Sequence, residues 1–350
     1  MLFTSDNWAG VHPAIMNAIA EANDGSVPAY GNDALSRRVT SRFEEIFEHE
    51  CHVFFASTGG AANGLALSQL VPPYGGTFCH EVSHVQMDEC GTPEFYSGGA
   101  KLLTLPGRDA KLTAAAVEEG MRFYTPPMTH HVLPKAVSLT QVTEAGTVYT
   151  PDEIGAIGEV AKRHNLKVHM DGARFSNAIA TLGCAPADVT WRAGVDVLCF
   201  GATKNGALCA EAVVFFDKAH TEEFAWRHKR AGHVWSKARF MAAQWEAFLS
   251  NDLWLDLAGN ANAMAARLGD RLGALPGITI AHPVQANEVF LTFPDGVAQQ
   301  LLDQGAQFYD WVYPGDEWNG QLKRLVTNYV TSEQEVDKFI DLVGRTIGNS

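Results

Sequence analysis

The sequence predicts an α/β protein built on a mostly parallel sheet, followed by a smaller C-terminal α+β domain. Three observations carry that prediction. Short apolar runs alternate with helix-like stretches between residues 53 and 200, as strands joined by helical crossovers do. Beyond about Trp245 the pattern changes to one long helix-like stretch and then two further strand candidates. The 350 residues also exceed the roughly 250–300 at which single hydrophobic cores stop growing, so a large and a small domain are expected, at 1–245 and 246–350.

The strand candidates of the large domain are 53–56, 77–80, 101–105, 136–140, 167–170 and 195–200, each bounded by Gly, Pro or a helix start. Thr150-Pro151-Asp152-Glu153 sets a capping Thr before a Pro at the first helical position, with an acid at the third, so a helix is expected to run to Arg163. In the small domain, 251–275 reads as a long helix and 278–281 and 289–293 as strands. Ser332 with Glu335 repeats the capping signal and starts a terminal helix with Val336, Phe339, Ile340 and Val343 on one face. There is no internal repeat and no low-complexity tract.

Composition narrows the function classes. The chain carries 26 basic and 40 acidic residues, a net charge of −14, with no run of Lys and Arg long enough to form a phosphate-tracking stripe, which argues against nucleic acid as a partner. No segment reaches the ~18–20 apolar residues of a membrane span, and Met1 to Asn7 lacks a basic start, so a cytoplasmic protein without a membrane partner is expected. The six cysteines, Cys51, Cys79, Cys90, Cys184, Cys199 and Cys209, form no C-x-x-C pair and are expected to be buried, reduced thiols. His12, His52, His164, His169 and His220 read as packed or surface residues rather than ligands.

Two strand ends carry the chemistry. The strand ending at Met170 runs into Asp171-Gly172-Ala173-Arg174, and 33 residues after Asp171 a second strand ends in Gly201-Ala202-Thr203-Lys204. Ligands of open parallel sheets bind at the carboxyl ends of strands, so Asp171 and Lys204 can face one crevice. Pyridoxal 5'-phosphate needs both, a lysine to link its aldehyde and an acid to keep its pyridine nitrogen protonated. A third strand enters Ser57-Thr58-Gly59-Gly60-Ala61-Ala62-Asn63, whose small residues let backbone approach a phosphate at a helix N-terminus. A competing motif is His80-Glu81-Val82-Ser83-His84, which on a helix would hold zinc and make a hydrolase. A strand candidate runs into it from Thr77 and no third ligand motif follows, so no metal is expected.

Ser5-Asp6-Asn7, the Thr58-Gly59 turn, His84, Met170-Asp171-Gly172-Ala173-Arg174, Thr203-Lys204 and Arg324-Leu325-Val326-Thr327 resemble, in order and spacing, the low-specificity L-threonine aldolases. The resemblance covers nearly the whole chain. It implies the PLP-dependent transferase fold of the aspartate aminotransferase type (fold type I), with a mostly parallel mixed sheet, and a homotetramer built as a dimer of dimers with shared active sites. It also implies reversible cleavage of L-threonine, L-allo-threonine and related β-hydroxy-α-amino acids, β-aryl serines among them, to glycine and an aldehyde. A β-eliminating lyase or an aminotransferase of the same fold is the alternative.

By position, Lys204 resembles the covalent lysine, Asp171 the partner of the pyridine nitrogen and His84 the imidazole stacked on the ring. Gly59 and Gly60 resemble the phosphate turn, and Ser5, Arg174 and Arg324 the groups that hold the substrate carboxylate. His130, with His131 beside it, resembles the second histidine near the substrate hydroxyl, and Tyr30, Arg230 and Lys237 the residues offered across a subunit interface. Many members have Thr where this chain has Gly60, so Thr58 or Thr203 is expected to supply that hydroxyl; Gln141 stands where many have Asn. The base for the β-hydroxyl proton stays open among His84, His130 and a water.

Overall fold

A computed structural model describes residues 1–312, 318 and 321–348. Its large sheet has seven strands: β1 (His52–Ala56), β2 (Gly75–His80), β3 (Lys101–Leu105), β4 (Leu133–Thr140), β5 (Lys167–Gly172), β6 (Val197–Gly201) and β7 (Glu211–Phe215). Their order is β1-β7-β6-β5-β4-β2-β3, and all neighbours are parallel except those of β7, which runs against both β1 and β6. The first six strands fall on the six candidate runs. β7 was not anticipated, because it follows β6 through a short turn at Thr203–Asn205 with no crossover helix to announce it.

The parallel register brings the site together. Thr140 on β4 pairs with Asp171 on β5, and Asp171 pairs with Cys199 on β6, so three adjacent strands finish side by side. Helices Gly59–Leu70 and Pro151–Arg163 are among those packed on the sheet. The second has both halves of its capping box, the Thr150 side chain accepting from Glu153 N and the Glu153 carboxylate from Thr150 N.

A second, antiparallel sheet is ordered β10-β11-β9-β8, with β8 (Thr279–Ile280), β9 (Glu288–Thr292), β10 (Tyr309–Asp310) and β11 (Lys323–Val326). β8 and β9 lie on the two candidate runs. The long helix is Leu253–Gly273, and the terminal helix, Glu333–Gly348, follows Ser332, whose Oγ accepts from Glu335 N. Glu335 does not close that box: its carboxylate accepts Leu2 N at 3.3 Å and ties down the N-terminal segment. Phe3 then exchanges backbone hydrogen bonds with Gln307 and Val326, and its ring packs at 5.0 Å from Phe339. This anchoring carries Ser5-Asp6-Asn7 to the large sheet's central strands, where Asp6 meets Arg174 just after β5.

Two main hydrophobic clusters follow the two sheets. One gathers Phe43, Phe47, Phe175, Phe200, Trp245 and Phe248; the other gathers Phe3, Leu268, Val289, Leu325 and Phe339. All six cysteines are free thiols, but only Cys51, Cys79 and Cys199 are buried. Cys90 is exposed because it occupies a left-handed turn (φ 52°) between two short helices, and Cys184 and Cys209 are partly exposed. Among the described residues no helix is long and apolar enough to cross a membrane.

Candidate active site

Thr58 caps helix Gly59–Leu70, its Oγ1 accepting Ala61 N at 3.2 Å, and this turns the first amides of Gly59 and Gly60 toward a cavity of about 310 Å³. Opposite stand Asp171 at the end of β5 and Lys204 in the turn after β6. Thr58, Gly59, Gly60, His84, Asp171, Arg174, Thr203 and Lys204 all line this one cavity. Asn7, Asn63, Glu144 and Glu211 line it too; the first two fall within the Ser5–Asn7 and Ser57–Asn63 motifs but have no role there, and the two glutamates belong to no motif.

A buried polar line crosses the floor. Asp171 Oδ1 accepts Ala173 N at 3.0 Å, and Oδ2 accepts Asn63 Nδ2 at 2.8 Å. The same amide nitrogen donates to Glu89 Oε1 at 2.7 Å, and that oxygen lies 2.9 Å from His84 Nδ1. The Glu89 hydrogen bond raises the His84 imidazole above its ordinary pKa, and Asp171 adds to the rise. The backbone N of His84 donates to Glu144 Oε1 at 2.7 Å, and both residues line the cavity. Burial pushes Glu144 up to about 7.

The two arginines belong to one ionic row around Glu288, in which Arg174 lines the cavity while Arg324, like Ser5, is not among its lining residues. Arg174 Nε donates to Asp6 at 2.7 Å and Nη1 lies 3.2 Å from Glu288 on β9. Arg324 on β11 stands 3.7 Å from Glu288 and stacks on Trp311 at 4.1 Å. Burial acts to raise the Asp6 pKa, but Arg174 and Lys204 outweigh it and hold the carboxyl below its usual range. Ser5 caps the short turn Asp6–Trp8 through Asn7 N.

Several expected residues lie elsewhere. His130 is exposed on the turn before β4 and is not brought to the cavity. Tyr30 shares a separate pocket with His233 and Trp235, Arg230 lines a surface groove with Phe95 and Trp226, and Lys237 is exposed. Gln141 has a structural task, its amide bridging the backbone N and O of Tyr149. His12 caps helix Pro13–Glu21, and buried His169 contacts Ser138 at 2.9 Å.

The zinc motif does not form. His80 ends β2 with its ring on Gly107 O at 2.9 Å and Val82 N at 3.2 Å, whereas His84 opens a new helix, so the five residues share no helical face. His84, Glu89 and Asp171 do bring three ligand-type atoms within 4.8 Å of one another, with Asn63 hydrogen-bonded between the two carboxylates. The donor set fits pyridoxal phosphate better, since it offers helix-end amides, a lysine, an imidazole and a buried carboxylate around one cavity.

The family model described as "Beta-eliminating lyase" matches residues 3–295. The low specificity L-threonine aldolase of Pseudomonas aeruginosa is 44% identical over 329 residues, covering 92% of this chain and 94% of the relative. The chain belongs to the low specificity L-threonine aldolase family. A second low specificity L-threonine aldolase, from a Pseudomonas species, is 45% identical over 89% of this chain and 90% of its own. A solved Leishmania major threonine aldolase superposes with a TM-score of 0.91 at 28% identity, covering 99% of both chains. The fold is therefore the PLP-dependent type I fold that the aldolase resemblance implied.

Proposed function

We propose that this chain is a pyridoxal phosphate-dependent aldolase that cleaves L-threonine, L-allo-threonine and related β-hydroxy-α-amino acids to glycine and an aldehyde. The observation that carries this reading is the gathering of Lys204, Asp171, His84 and the Gly59 helix end around one cavity. When bound, pyridoxal phosphate supplies an electron-accepting ring joined to the substrate's Cα. Lys204 would hold its aldehyde end, Asp171 its ring nitrogen, His84 one ring face, and the Gly59 and Gly60 amides, with Thr58 and Thr203 nearby, its phosphate.

The chain's own groups do the rest. Arg174 and Arg324, with Ser5 near them, form the cationic wall that turns toward the substrate carboxylate and so fixes which Cα bond lies across the ring. His84 and Glu144 are the two groups at the cavity wall suited to take the β-hydroxyl proton, and the exposed His130 drops behind them.

The subunit arrangement belongs to the same reading. The assembly is a cytoplasmic homotetramer, a dimer of dimers in which Tyr30, Arg230 and Lys237 serve a neighbouring site. Support comes from the cavity's own cations: among the described residues lining it these are Lys204 and Arg174, and Arg174 is already paired with Asp6 and Glu288. For the division at 1–245 and 246–350 the two hydrophobic clusters give support in outline, although Phe248 and Trp254 pack with the first cluster and Phe3 with the second.

Product analysis tests the activity. Incubation of the holoprotein with L-threonine, L-allo-threonine or a β-aryl serine is expected to yield glycine and the matching aldehyde, while the D-isomers stay intact. Keto acid or ammonia as the main product would instead identify an aminotransferase or a β-eliminating lyase.

A further inference from the structure

Glu211 begins β7, the strand that runs against its neighbours, so its side chain enters the sheet at the edge where β1 and β6 end. It pairs in register with Ala56 on one side and Gly201 on the other. The residue is only 7% exposed and lines the cavity. Its two oxygens have different surroundings. Oε1 accepts the Thr203 hydroxyl at 2.5 Å, and that hydroxyl in turn accepts Ala210 N at 3.1 Å. Oε2 faces the helix end: a Cβ built on Gly59 would stand 3.9 Å from it. One built on Gly201 would come to 2.9 Å, so the missing side chain at Gly201 is what makes room for the carboxyl.

Of the two hydroxyls that stood to replace a residue-60 side chain, Thr203 already donates its proton to Glu211, while Thr58 accepts from Ala61 N and keeps a proton to donate. Thr58 Oγ1 caps Ala61, and Thr203 is held between Glu211 and Ala210. A carboxylate at buried Glu211 would set a negative charge beside a phosphate, and burial strengthens the repulsion between like charges. A carboxylic acid there removes the repulsion and adds a donor.

Resting on the cofactor reading above, we propose that Glu211 is a carboxylic acid in the holoenzyme and that its Oε2–H donates a hydrogen bond to the cofactor phosphate, in place of the hydroxyl absent at Gly60. The surrounding charges are consistent with this. Burial pushes the carboxyl up to about 7 and Asp171 adds to the rise, while the Thr203 hydrogen bond and Lys204 oppose it. The thiols of Cys199 and Cys209, which sense Glu211, are themselves raised by burial and stay neutral. A phosphate beside the carboxyl raises it further.

Cofactor binding then takes up a proton wherever the free protein's Glu211 is ionised. Affinity falls by roughly tenfold per pH unit above that point from this one group. The test titrates the full-length apoprotein with pyridoxal phosphate between about pH 6 and about pH 9. Wild type, Glu211→Gln and Glu211→Ala are compared, and infrared difference spectra are recorded for each. The amide of Glu211→Gln keeps a donor without a proton to lose. The ratio of wild-type to Glu211→Gln dissociation constants is expected to climb by roughly tenfold per pH unit above about pH 7, because the other titrations cancel in the ratio. Glu211→Ala should bind about tenfold or more weakly than Glu211→Gln at every pH, as a lost hydrogen bond to a charged group implies. The wild-type holoprotein should show a carboxylic C=O band that Glu211→Gln lacks. A flat ratio, or Glu211→Ala binding as tightly as Glu211→Gln, overturns the assignment. Wild-type protein that takes up no pyridoxal phosphate would instead sink the cofactor reading beneath it.

Discussion

Glu144 and His84 meet at the cavity wall through one backbone hydrogen bond, and the surroundings of each raise its pKa. The carboxyl rises to about 7 by burial, and the imidazole rises through Glu89. If Glu144 takes the β-hydroxyl proton it must be ionised, so kcat should fall as pH drops below about 7. Glu144→Gln is expected to lower kcat by roughly 10²–10⁴-fold, the usual worth of a positioned base, and to erase that acidic limb. A pH–rate profile of the variant decides it, since a limb that survives intact leaves His84 as the base. Lys204 and Asp171 were legible in the sequence because each closes an apolar strand with a charge. Glu144, Glu211 and Asn63 were not, because a lone acid or amide outside such a pattern is ordinarily solvated, and only burial in three dimensions sets these apart.

Helix Pro151–Arg163 shows how packing decides what local preference cannot. It holds two glycines, each of which costs a helix interior roughly 0.5–1 kcal/mol relative to Ala. A Cβ on Gly155 would meet nothing within 4 Å, whereas one on Gly158 would lie 2.4 Å from Ala193 O. Gly155→Ala should therefore stabilise the protein by about 0.5–1 kcal/mol. Gly158→Ala should destabilise it by about 1–3 kcal/mol, because a backbone carbonyl must move. Thermal or urea unfolding of the two variants measures this, and equal shifts would show that the contact at Gly158 relaxes freely. The ends of this helix could be read from Thr150 and Glu153, but the reason for its glycines could not, since Ala193 is distant in sequence. The strands divide the same way. Six parallel strands announced themselves as apolar runs between helices, while β7 lacks a crossover, and β10 and β11 are too short to show a period.

At the scale of the whole molecule, the chain exposes large aromatic side chains in a groove separate from its cofactor cavity. Phe95 and Trp226 are 80% and 75% exposed and line one groove with Arg230, which makes this groove the place to test for the proposed subunit contact. The resemblance assigns Arg230 to a neighbour's site, and Arg174, the cavity's own arginine, is committed to Asp6 and Glu288. Assembly and cofactor binding should therefore be linked, because a separated subunit keeps the helix-end amides but loses charges that answer the phosphate. Replacing both aromatics, Phe95→Asp with Trp226→Asp, removes two central anchors, each worth about 2 kcal/mol or roughly a thirty-fold rise in dissociation constant. Sedimentation should show a smaller species, and titration should show weaker pyridoxal phosphate binding that recovers as protein concentration rises. Arg230→Ala should weaken the cofactor while leaving the assembly intact, which separates lost charge from lost contact. An aspartate double variant that stays at the wild-type mass would place the subunit contact on another face.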